Sequence, residues 1–393
     1  MLRSVRLGAR IAPLLAMFVL AGPAPVVLAQ SMKENLGHML FMDKNLSSTK
    51  TQSCQSCHNG TDGFSDPDKG FPTSEGAVAG RFGPRNAPGV AYLGSSPALH
   101  YDAARGTYVG GFFWDGRANS LTDQAKGPFL NPLEMNMADK ASVVAVVQAA
   151  TYSGMFKMVY GMSAFDNVDA AYNNVADAIA VWELSVTPSM VTMYSSRYDA
   201  WHAGMGTLTA QEQRGMAVFA GKGNCSSCHS MAADADNHVP FTDFSHHNMG
   251  LPKNPGNPFY AMPAEFNPDG AAYIDRGLGA VLGDSAYDGF FKTPTLRDVL
   301  GSGPYGHNGA FATLDDVIRF MDSRNVPGAG WGPPEVGTNL DTTVGNLGLT
   351  SDEMGDIRAF LGTLTDVGVT PEPATLAILA LGWLTIRTRR RRA

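Results

Sequence analysis

The sequence Cys54-Gln-Ser-Cys57-His58 decides the architecture of this chain, and its pattern returns once, as Cys225-Ser-Ser-Cys228-His229. Two thiols three positions apart, followed directly by an imidazole, form the pattern through which haem is attached covalently to a protein. Each thiol can bond one vinyl group of the haem, and the histidine can donate a ring nitrogen to the iron. These motifs use all four cysteines of the chain, so no thiol is left for a disulfide or a nucleophile. We therefore expect two covalently bound haem c groups, with His58 and His229 as iron ligands.

Two other kinds of site also use Cys-x-x-Cys pairs. A zinc ribbon places its pairs roughly 15–20 residues apart, whereas these pairs lie in opposite halves of a 393-residue chain. A thioredoxin-like redox pair needs a βαβ setting, which the flanking sequence does not indicate. Neither alternative explains why a histidine follows both pairs.

The charge of the chain is acidic, and its length suggests two domains. Its formal charge is −7, and the body is more acidic than this because arginines cluster at both ends. An acidic body argues against nucleic acid as a partner and favours cationic proteins through electrostatic steering. The 44 glycines and 24 prolines indicate long ordered loops.

Residues 1–29 have the features of a secretory signal peptide. Three arginines precede an apolar run from Ile11 to Leu20, and Val27-Leu28-Ala29 offers a cleavage site before Gln30. The alternative, an uncleaved anchor, is less favoured because the run is short for a membrane span. Export agrees with haem c, which is attached outside the cytoplasm, so we expect the protein in the periplasm or cell envelope.

Helical periodicity and capping signals predict the same order of elements in each half: a helix, a haem motif, long loops and a closing helix. Helices are predicted at 32–41, 138–150, 170–184 and 209–220, and a last one follows residue 350. The last two begin at capping boxes, Thr209-Ala-Gln-Glu212 and Thr350-Ser-Asp-Glu353. We expect a mainly α, loop-rich fold of two cytochrome c-like domains, 30–195 and 196–366, packed around an interface.

The C-terminal residues 367–393 form a separate unit. Pro371-Glu-Pro373 is followed by mostly apolar residues from Ala374 to Ile386 and then by an arginine cluster. This order resembles a PEP-CTERM sorting tail. The resemblance implies an exported protein of a Gram-negative-type bacterium, whose tail enters the membrane at least transiently and is then removed. A permanent tail anchor is the alternative, although the apolar run spans only about 20 Å of a roughly 30 Å hydrocarbon core.

Between about residues 32 and 366 the chain resembles the bacterial di-haem cytochrome c peroxidases and the related MauG enzymes. Besides the two haem motifs, the segments that carry the resemblance are Arg85-Asn-Ala-Pro88, Phe113-Trp-Asp-Gly-Arg117, Gln124, Gly127-Pro128, Asn131-Pro-Leu-Glu-Met135, Phe241-Thr-Asp243, His247-Asn248, Lys292-Thr-Pro-Thr-Leu-Arg297 and Pro304-Tyr-Gly-His-Asn-Gly309. The resemblance implies reduction of hydrogen peroxide to water, with electrons delivered by a small cytochrome c or a cupredoxin.

The resemblance also implies roles for single residues in the N-terminal half. The haem of Cys54, Cys57 and His58 would be the peroxidatic one, and Gln124 and Glu134 would belong to its distal pocket. A carboxylate beside the iron can move a proton between the two peroxide oxygens as general base and then acid. Trp114 matches a tryptophan between the two haems, with simple aromatic packing as the alternative.

For the second haem, held by Cys225, Cys228 and His229, the resemblance implies a sixth ligand fourteen residues after His307, which is Met321. MauG has tyrosine at that position. A thioether ligand raises the reduction potential of the iron. Met249 is the nearest alternative ligand.

Peroxidases of this family also hold a calcium ion between the domains. The matching oxygen donors are the side chain of Asn86 and the carbonyl groups of Ser302 and Pro304, which suit a hard cation. Members of the family are often homodimers, which the sequence does not test.

The sequence departs from the family at one position. Many members carry, eight residues before the asparagine corresponding to Asn86, a histidine that blocks the peroxidatic iron until the other haem is reduced. Here that position is Val78, next to Ala77, and neither can ligate iron. We therefore expect a first haem that is five-coordinate or water-bound without prior reduction. Two alternatives stay open: MauG-like oxidation of a protein side chain, and a di-haem electron carrier without chemistry of its own.

Overall fold

The structure, a computed structural model, describes residues 24–185 and 192–367. Residues 1–23 of the predicted signal segment and 368–393 of the predicted tail lie outside the described residues. Its α-helices are α1 (Ala24–Met42), α2 (Cys54–Cys57), α3 (Leu121–Leu130), α4 (Lys140–Ala149), α5 (Ser153–Tyr160), α6 (Val168–Glu183), α7 (Arg197–His202), α8 (Ala210–Ala220), α9 (Leu278–Leu282), α10 (Leu314–Ser323) and α11 (Ser351–Gly362). The described part is thus mainly helical and rich in loops, as predicted.

The helices predicted from periodicity and capping are present. The segment 32–41 lies within α1, 138–150 corresponds to α4, and 170–184 corresponds to α6. Both predicted capping boxes form, because the Thr209 and Thr350 hydroxyls accept hydrogen bonds from the peptide N–H groups of Glu212 and Glu353. The helices α2, α3, α5, α7, α9 and α10 were not predicted. Helix α3 carries a proline inside it, which hides its helical pattern.

In the part of the chain that the structure describes, four short strands form two antiparallel pairs. Strand β1 (His100–Asp102) pairs with β2 (Thr107–Val109), and β3 (His246–His247) pairs with β4 (Phe291–Lys292). The β1–β2 hairpin is held to the second half of the chain, because the Thr107 hydroxyl donates to the carbonyl oxygen of His246 at 2.8 Å. The long loop after residue 92, which contains this hairpin, therefore connects the two halves of the chain.

Two large apolar clusters form the core. One lies in the first half, around buried side chains such as Leu36, Phe129 and Ile179, and contacts Cys54. The other lies in the second half, around Phe241 and Phe360, and contacts Cys225 and Met321. Each haem motif therefore borders its own core, while the exact domain boundaries at 195 and 366 stay predictions.

A glycine lets the helix before each motif lie directly against the closing helix. A Cβ atom on Gly37 of α1 would come within 2.0 Å of the Ala178 carbonyl oxygen of α6, and one on Gly215 of α8 within 1.8 Å of the Asp356 carbonyl oxygen of α11. No larger side chain fits at these crossings unless the helices move apart. The same close helix crossing at a glycine thus occurs in both halves.

Within residues 24–185 and 192–367, no single helix combines the length and the hydrophobicity that a membrane span needs. Only α4 and α5 together reach those values, as a pair bent by 108°.

We predict that Gly215→Ala destabilises the haem-loaded protein by at least about 1–3 kcal/mol, because the added methyl group overpacks the α8–α11 crossing. Thermal and urea unfolding would measure the change. The matched control is Gly355→Ala, since Gly355 is an exposed glycine of α11 with no atom within 4 Å of the added Cβ. This control should be neutral or stabilising by up to about 1 kcal/mol, because alanine favours helix. Equal stability of the two variants would contradict the close crossing.

Candidate functional site

The first haem motif lies beside a cavity of about 170 Å³, called here the first cavity. Cys54, Cys57 and His58 line it together with residues of α3 and α6. The Nδ1 atom of His58 is 3.2 Å from the carbonyl oxygen of Phe64, a distance that suits an Nδ1–H donor. This bond orients the ring and leaves Nε2 free as a metal ligand. Burial lowers the pKa of His58 to about 4, so the imidazole is neutral at pH 7.

The three residues predicted for catalysis, Gln124, Glu134 and Trp114, all line the first cavity. Gln124 lies on α3, and Glu134 lies in the turn that follows it. The Asn131 side-chain amide donates to Oε1 of Glu134 at 2.7 Å, and the Ala77 N–H donates to the Glu134 carbonyl oxygen at 2.7 Å. Both the carboxylate and its backbone are therefore fixed.

The charge state of Glu134 is set by its surroundings. The side chain opens to the cavity but is otherwise enclosed by protein. Burial raises the pKa of Glu134, and the positive charge of Arg117 and the hydrogen bond from Asn131 oppose that rise. A carboxyl group with a raised pKa can exchange protons nearer neutral pH than a solvated one, which general acid–base catalysis requires.

The second haem motif lies beside a larger cavity of about 310 Å³, the second cavity. Cys225, Cys228 and His229 line it, and the Nδ1 atom of His229 is 3.1 Å from the carbonyl oxygen of Phe241. The orientation of this ring repeats that of His58. Burial lowers the pKa of His229, which also favours a neutral imidazole.

The structure brings the predicted sixth ligand, Met321, to the second cavity. Met321 belongs to α10 and lines the cavity together with His229. The alternative, Met249, lines it as well, so both thioethers lie beside the same space. The choice of Met321 therefore stays a prediction.

The two cavities share a wall. Residues 86–89, Leu93, Phe113 and Trp114 line both of them. The indole N–H of Trp114 donates to the carbonyl oxygen of Asn86 at 2.9 Å, and its own carbonyl oxygen accepts from the N–H of Lys292 at 2.8 Å. Trp114 therefore lies in the wall between the two cavities, while its predicted role stays a prediction.

Buried ion pairs hold this wall. The Arg85 guanidinium contacts Asp115 at 2.6 Å, and two further bonds of 2.7 and 2.8 Å reach Asp275 in the second half of the chain. Burial alone would raise the pKa of Asp275, but its bonds to Arg85 outweigh this effect and lower the pKa to about 2. Because Arg85 precedes Asn86 and Asp115 follows Trp114, the ion pairs fix both segments of the wall.

The residues present fit two haem groups. All four cysteines are unpaired, and each pair lies with a neutral histidine at the edge of a mostly apolar cavity. The candidate calcium ligands Asn86, Ser302 and Pro304 all line the second cavity. The calcium site that they were expected to form stays a prediction.

The segment that carries Val78 forms a closed turn. The Gly76 N–H donates to the Arg81 carbonyl oxygen at 2.7 Å, and the Thr49 hydroxyl donates to the Ala77 carbonyl oxygen at 3.0 Å. Neither Ala77 nor Val78 lines the first cavity. Among the residues that the structure describes, His58 is the one histidine that does so.

Glu183 is a site residue that the sequence analysis missed. It is 5% exposed, its Oε2 atom has no hydrogen-bond partner among the described residues, and it lines the first cavity. Burial raises the pKa of Glu183 to about 8. Its spacing could have revealed it, because Glu183 continues the buried stripe of Val175 and Ile179 at intervals of four.

The chain is similar to known di-haem proteins along most of its length. A model of the di-haem cytochrome c peroxidase family matches residues 31–207. Methylamine utilization protein MauG of Paracoccus denitrificans is 37% identical over 376 residues, which are 91% of this chain and 94% of that protein. Cytochrome c551 peroxidase of Nitrosomonas europaea is 32% identical and covers 84% of this chain and 79% of its own length. The crystal structure of the diheme peroxidase BthA of Burkholderia thailandensis matches with a TM-score of 0.76 at 28% identity, covering 87% of this chain and 88% of that one.

The raised pKa of Glu183 predicts that the stability of the folded protein depends on pH. The folded chain keeps this proton up to about pH 8, whereas the unfolded chain releases it near 4.5, so rising pH destabilises the fold between these values. The loss through this one carboxyl group is at most about 1.4 kcal/mol per pH unit. Unfolding of the haem-loaded protein at pH 5 to 8 should therefore show a steeper decline for wild type than for Glu183→Gln.

The matched control is Glu265→Gln, since Glu265 is exposed. This variant should keep the wild-type slope. Identical slopes for wild type and Glu183→Gln would show that Glu183 is ionised in the folded protein.

Proposed function

The chain belongs to the di-haem cytochrome c peroxidase family, and we propose that it reduces hydrogen peroxide to water with two electrons from a small cytochrome c or a cupredoxin. The family is one of oxidoreductases with two c-type haems. The overall reaction consumes one peroxide, two electrons and two protons and yields two waters.

The observation that carries the proposal is the unequal set of residues around the two cavities. The first cavity combines His58 with Glu134 and Gln124. Met135 also lines the first cavity, but its side chain belongs to the buried apolar core, so we do not propose it as an iron ligand. The second cavity combines His229 with two thioethers. An iron with one protein ligand suits chemistry, and an iron with two suits electron storage.

In this proposal Cys54, Cys57 and His58 hold the peroxidatic haem. Cys225, Cys228, His229 and Met321 hold the second haem. When bound, haem iron supplies the redox chemistry that breaks the oxygen–oxygen bond. The protein supplies the ligands, the enclosed cavities and the proton transfers.

Glu134 performs the proton transfer. With haem bound, its carboxylate would accept a proton from one oxygen of peroxide and return it to the other. The haem would supply the two electrons that break the oxygen–oxygen bond, the donor protein would replace them, and two further protons would complete the two waters. The Asn131 hydrogen bond at 2.7 Å keeps the carboxylate in place. Gln124 can donate its side-chain N–H to peroxide and orient it.

Trp114 carries electrons from the second site to the first. Its indole lies in the wall that the two cavities share, so the electron does not have to cross open space. The acidic charge of the chain favours a cationic donor protein through electrostatic steering.

We also propose that the protein is exported to the periplasm or cell envelope, where its haems are attached. Its signal segment and sorting tail support this proposal by their sequence alone. A calcium ion at Asn86, Ser302 and Pro304 would stabilise the wall between the cavities. A homodimer is compatible with the family resemblance.

A second candidate function is MauG-like oxidation of a protein side chain. The 37% identity to MauG of P. denitrificans over 91% of the chain favours it, and so does Val78 in place of a histidine. The methionine at 321 favours the peroxidase instead. This second function would give little oxidation of reduced cytochrome c and a peroxide-dependent change in the mass of a partner protein.

We predict that Glu134→Gln lowers peroxide turnover about 10²–10⁴-fold, because the amide cannot accept and return a proton. Turnover is measured as oxidation of reduced cytochrome c by peroxide. Glu265→Gln, an exposed substitution of the same kind, should keep wild-type turnover. Unchanged turnover in Glu134→Gln would exclude the proposed role. Absence of cytochrome c oxidation in wild type would favour the MauG-like oxidase if peroxide still changes the mass of a partner protein, and a di-haem electron carrier if it does not.

We predict a high-spin first haem and a low-spin second haem in the fully oxidised protein, measured by electron paramagnetic resonance and visible spectra. Met321→Ala should remove the low-spin signal of the second haem, whereas Met249→Ala should leave it unchanged. Two low-spin haems in the wild type would show that a protein atom ligates the first iron. A loss of the signal in Met249→Ala would transfer the ligand role to Met249.

A further inference from the structure

Three acidic or phenolic side chains meet inside the protein at a place that the proposed reaction does not use. The hydroxyl of Tyr92 lies 2.5 Å from Oδ2 of Asp298 and 2.6 Å from Oδ2 of Asp366. These residues are 4%, 0% and 3% exposed, so water contributes little there. We call this group the buried triad.

Two ionised carboxylates and one tyrosine have a single hydrogen between them, on the phenol. The two short contacts of the triad need a second hydrogen. A phenol carries one hydrogen and can donate it to one acceptor only. The other short oxygen–oxygen contact must then be a hydrogen bond from a protonated carboxyl group to the phenol oxygen. Without that proton, two carboxylates would face one phenol in a low dielectric, which is unfavourable.

The backbone shows which carboxyl group carries the proton. Asp366 accepts hydrogen bonds from the N–H groups of Tyr194 at 2.7 Å and Ser195 at 2.8 Å. Asp298 accepts one, from the Asp366 N–H at 2.7 Å. The additional donor favours the ionised form of Asp366. Asp298 therefore donates to Tyr92, and Tyr92 donates to Asp366.

Other charged and titratable groups face the triad. Arg297 lies next to it, but both of its terminal nitrogens bond Asp199 at 2.7 Å, which offsets its charge. The ring of Tyr194 lies over this guanidinium at 4.8 Å, and the ring of His238 stacks on Tyr194 at 4.0 Å. The negative charge of Asp234 also acts on Tyr194.

These surroundings bring the pKa of Asp298 close to neutral pH. Burial, followed by the charge of Asp366, raises the pKa of Asp298 to about 7, and burial raises that of Asp366 as well. Asp298 can thus gain or lose its proton under physiological conditions.

The triad borders the second cavity. Tyr92 and Arg297 both line that cavity, and Tyr92 follows the segment 86–89 that forms its wall with the first cavity. An electron added in this cavity would act on the triad through protein of low dielectric rather than through water.

We propose that Tyr92, Asp298 and Asp366 form a redox-linked proton site for the second haem, which takes up one proton when that haem gains an electron. This inference rests on the proposed function, because it assigns the electron-storing haem to the second cavity. On reduction, the electron comes from the donor protein and the proton from solvent and binds Asp298. On oxidation, the electron passes to the first site and the proton leaves Asp298. The net charge of the buried region then changes little during each transfer.

The experiment is a spectroelectrochemical titration of the second haem in the intact di-haem protein from pH 5 to 9. Uptake of one proton with one electron changes the redox equilibrium tenfold per pH unit, which equals 59 mV. The wild-type potential should approach this slope near neutral pH. Asp298→Asn should flatten the slope there, because the amide keeps the shape and a hydrogen-bond donor but cannot release a proton. The matched control, Asp236→Asn at an exposed aspartate, should keep the wild-type slope.

Infrared redox-difference spectra give a second readout. Reduction of the wild type should increase the C=O band of a protonated carboxyl group, and Asp298→Asn should lack that change. If Asp298→Asn does not fold, Tyr92→Phe replaces it, and loss of the bridging oxygen should move the midpoint of the pH-dependent region. An unchanged slope in Asp298→Asn, or an unchanged midpoint in Tyr92→Phe, would overturn the proton site.

These results are separable from a failure of the proposed function. A protein that shows the slope but does not turn over peroxide would lose the peroxidase assignment and keep the proton site. A protein that turns over peroxide with the same slope in wild type and Asp298→Asn would keep the assignment and lose the proton site.

Discussion

Arg85 is a partly buried cation that joins three segments of the chain where the two cavities meet. Its guanidinium binds Asp115 and two oxygens of Asp275, at distances between 2.6 and 2.8 Å. Loss of this cation would leave the buried carboxylate of Asp275 without its ion-pair partner, a change that typically costs about 3–5 kcal/mol, whereas Asp115 would keep a bond from Arg117 at 2.8 Å. The neighbours of these ion-paired residues, Asn86 and Trp114, form the wall between the cavities. The relation between the two haem sites therefore depends on one electrostatic cluster and not on apolar packing alone.

Buried carboxyl groups form the second theme of the structure. Glu134 and Glu183 lie at the first cavity, and Asp298 lies behind the second. Burial raises the pKa of each of them, because a charge is poorly stabilised away from water. A reaction that consumes protons and electrons together benefits from groups that can hold protons near neutral pH within the protein.

The two halves share a plan but differ in their sites. In both, a glycine allows the helix before the motif to cross the closing helix closely, and the histidine of the motif is oriented by a carbonyl oxygen. The differences lie in the loops: an acid follows α3 beside one cavity, and α10 brings a methionine to the other. In the proposed function, this difference would leave chemistry to the first haem and electron storage to the second.

The sequence by itself determined the two covalent attachment motifs, the mainly helical fold and the helices that bear capping boxes, because these depend on residues close together in the chain. The resemblance of its motifs to a known family also pointed to Glu134, Gln124 and Trp114 as site residues, and the structure places all three at the first cavity. Only the tertiary structure showed that one wall separates the cavities and that Glu183 faces one of them. The same holds for the bonds of Tyr92 to two aspartates more than two hundred residues away. Such contacts join distant segments, and burial sets their protonation, so neither periodicity nor spacing can reveal them.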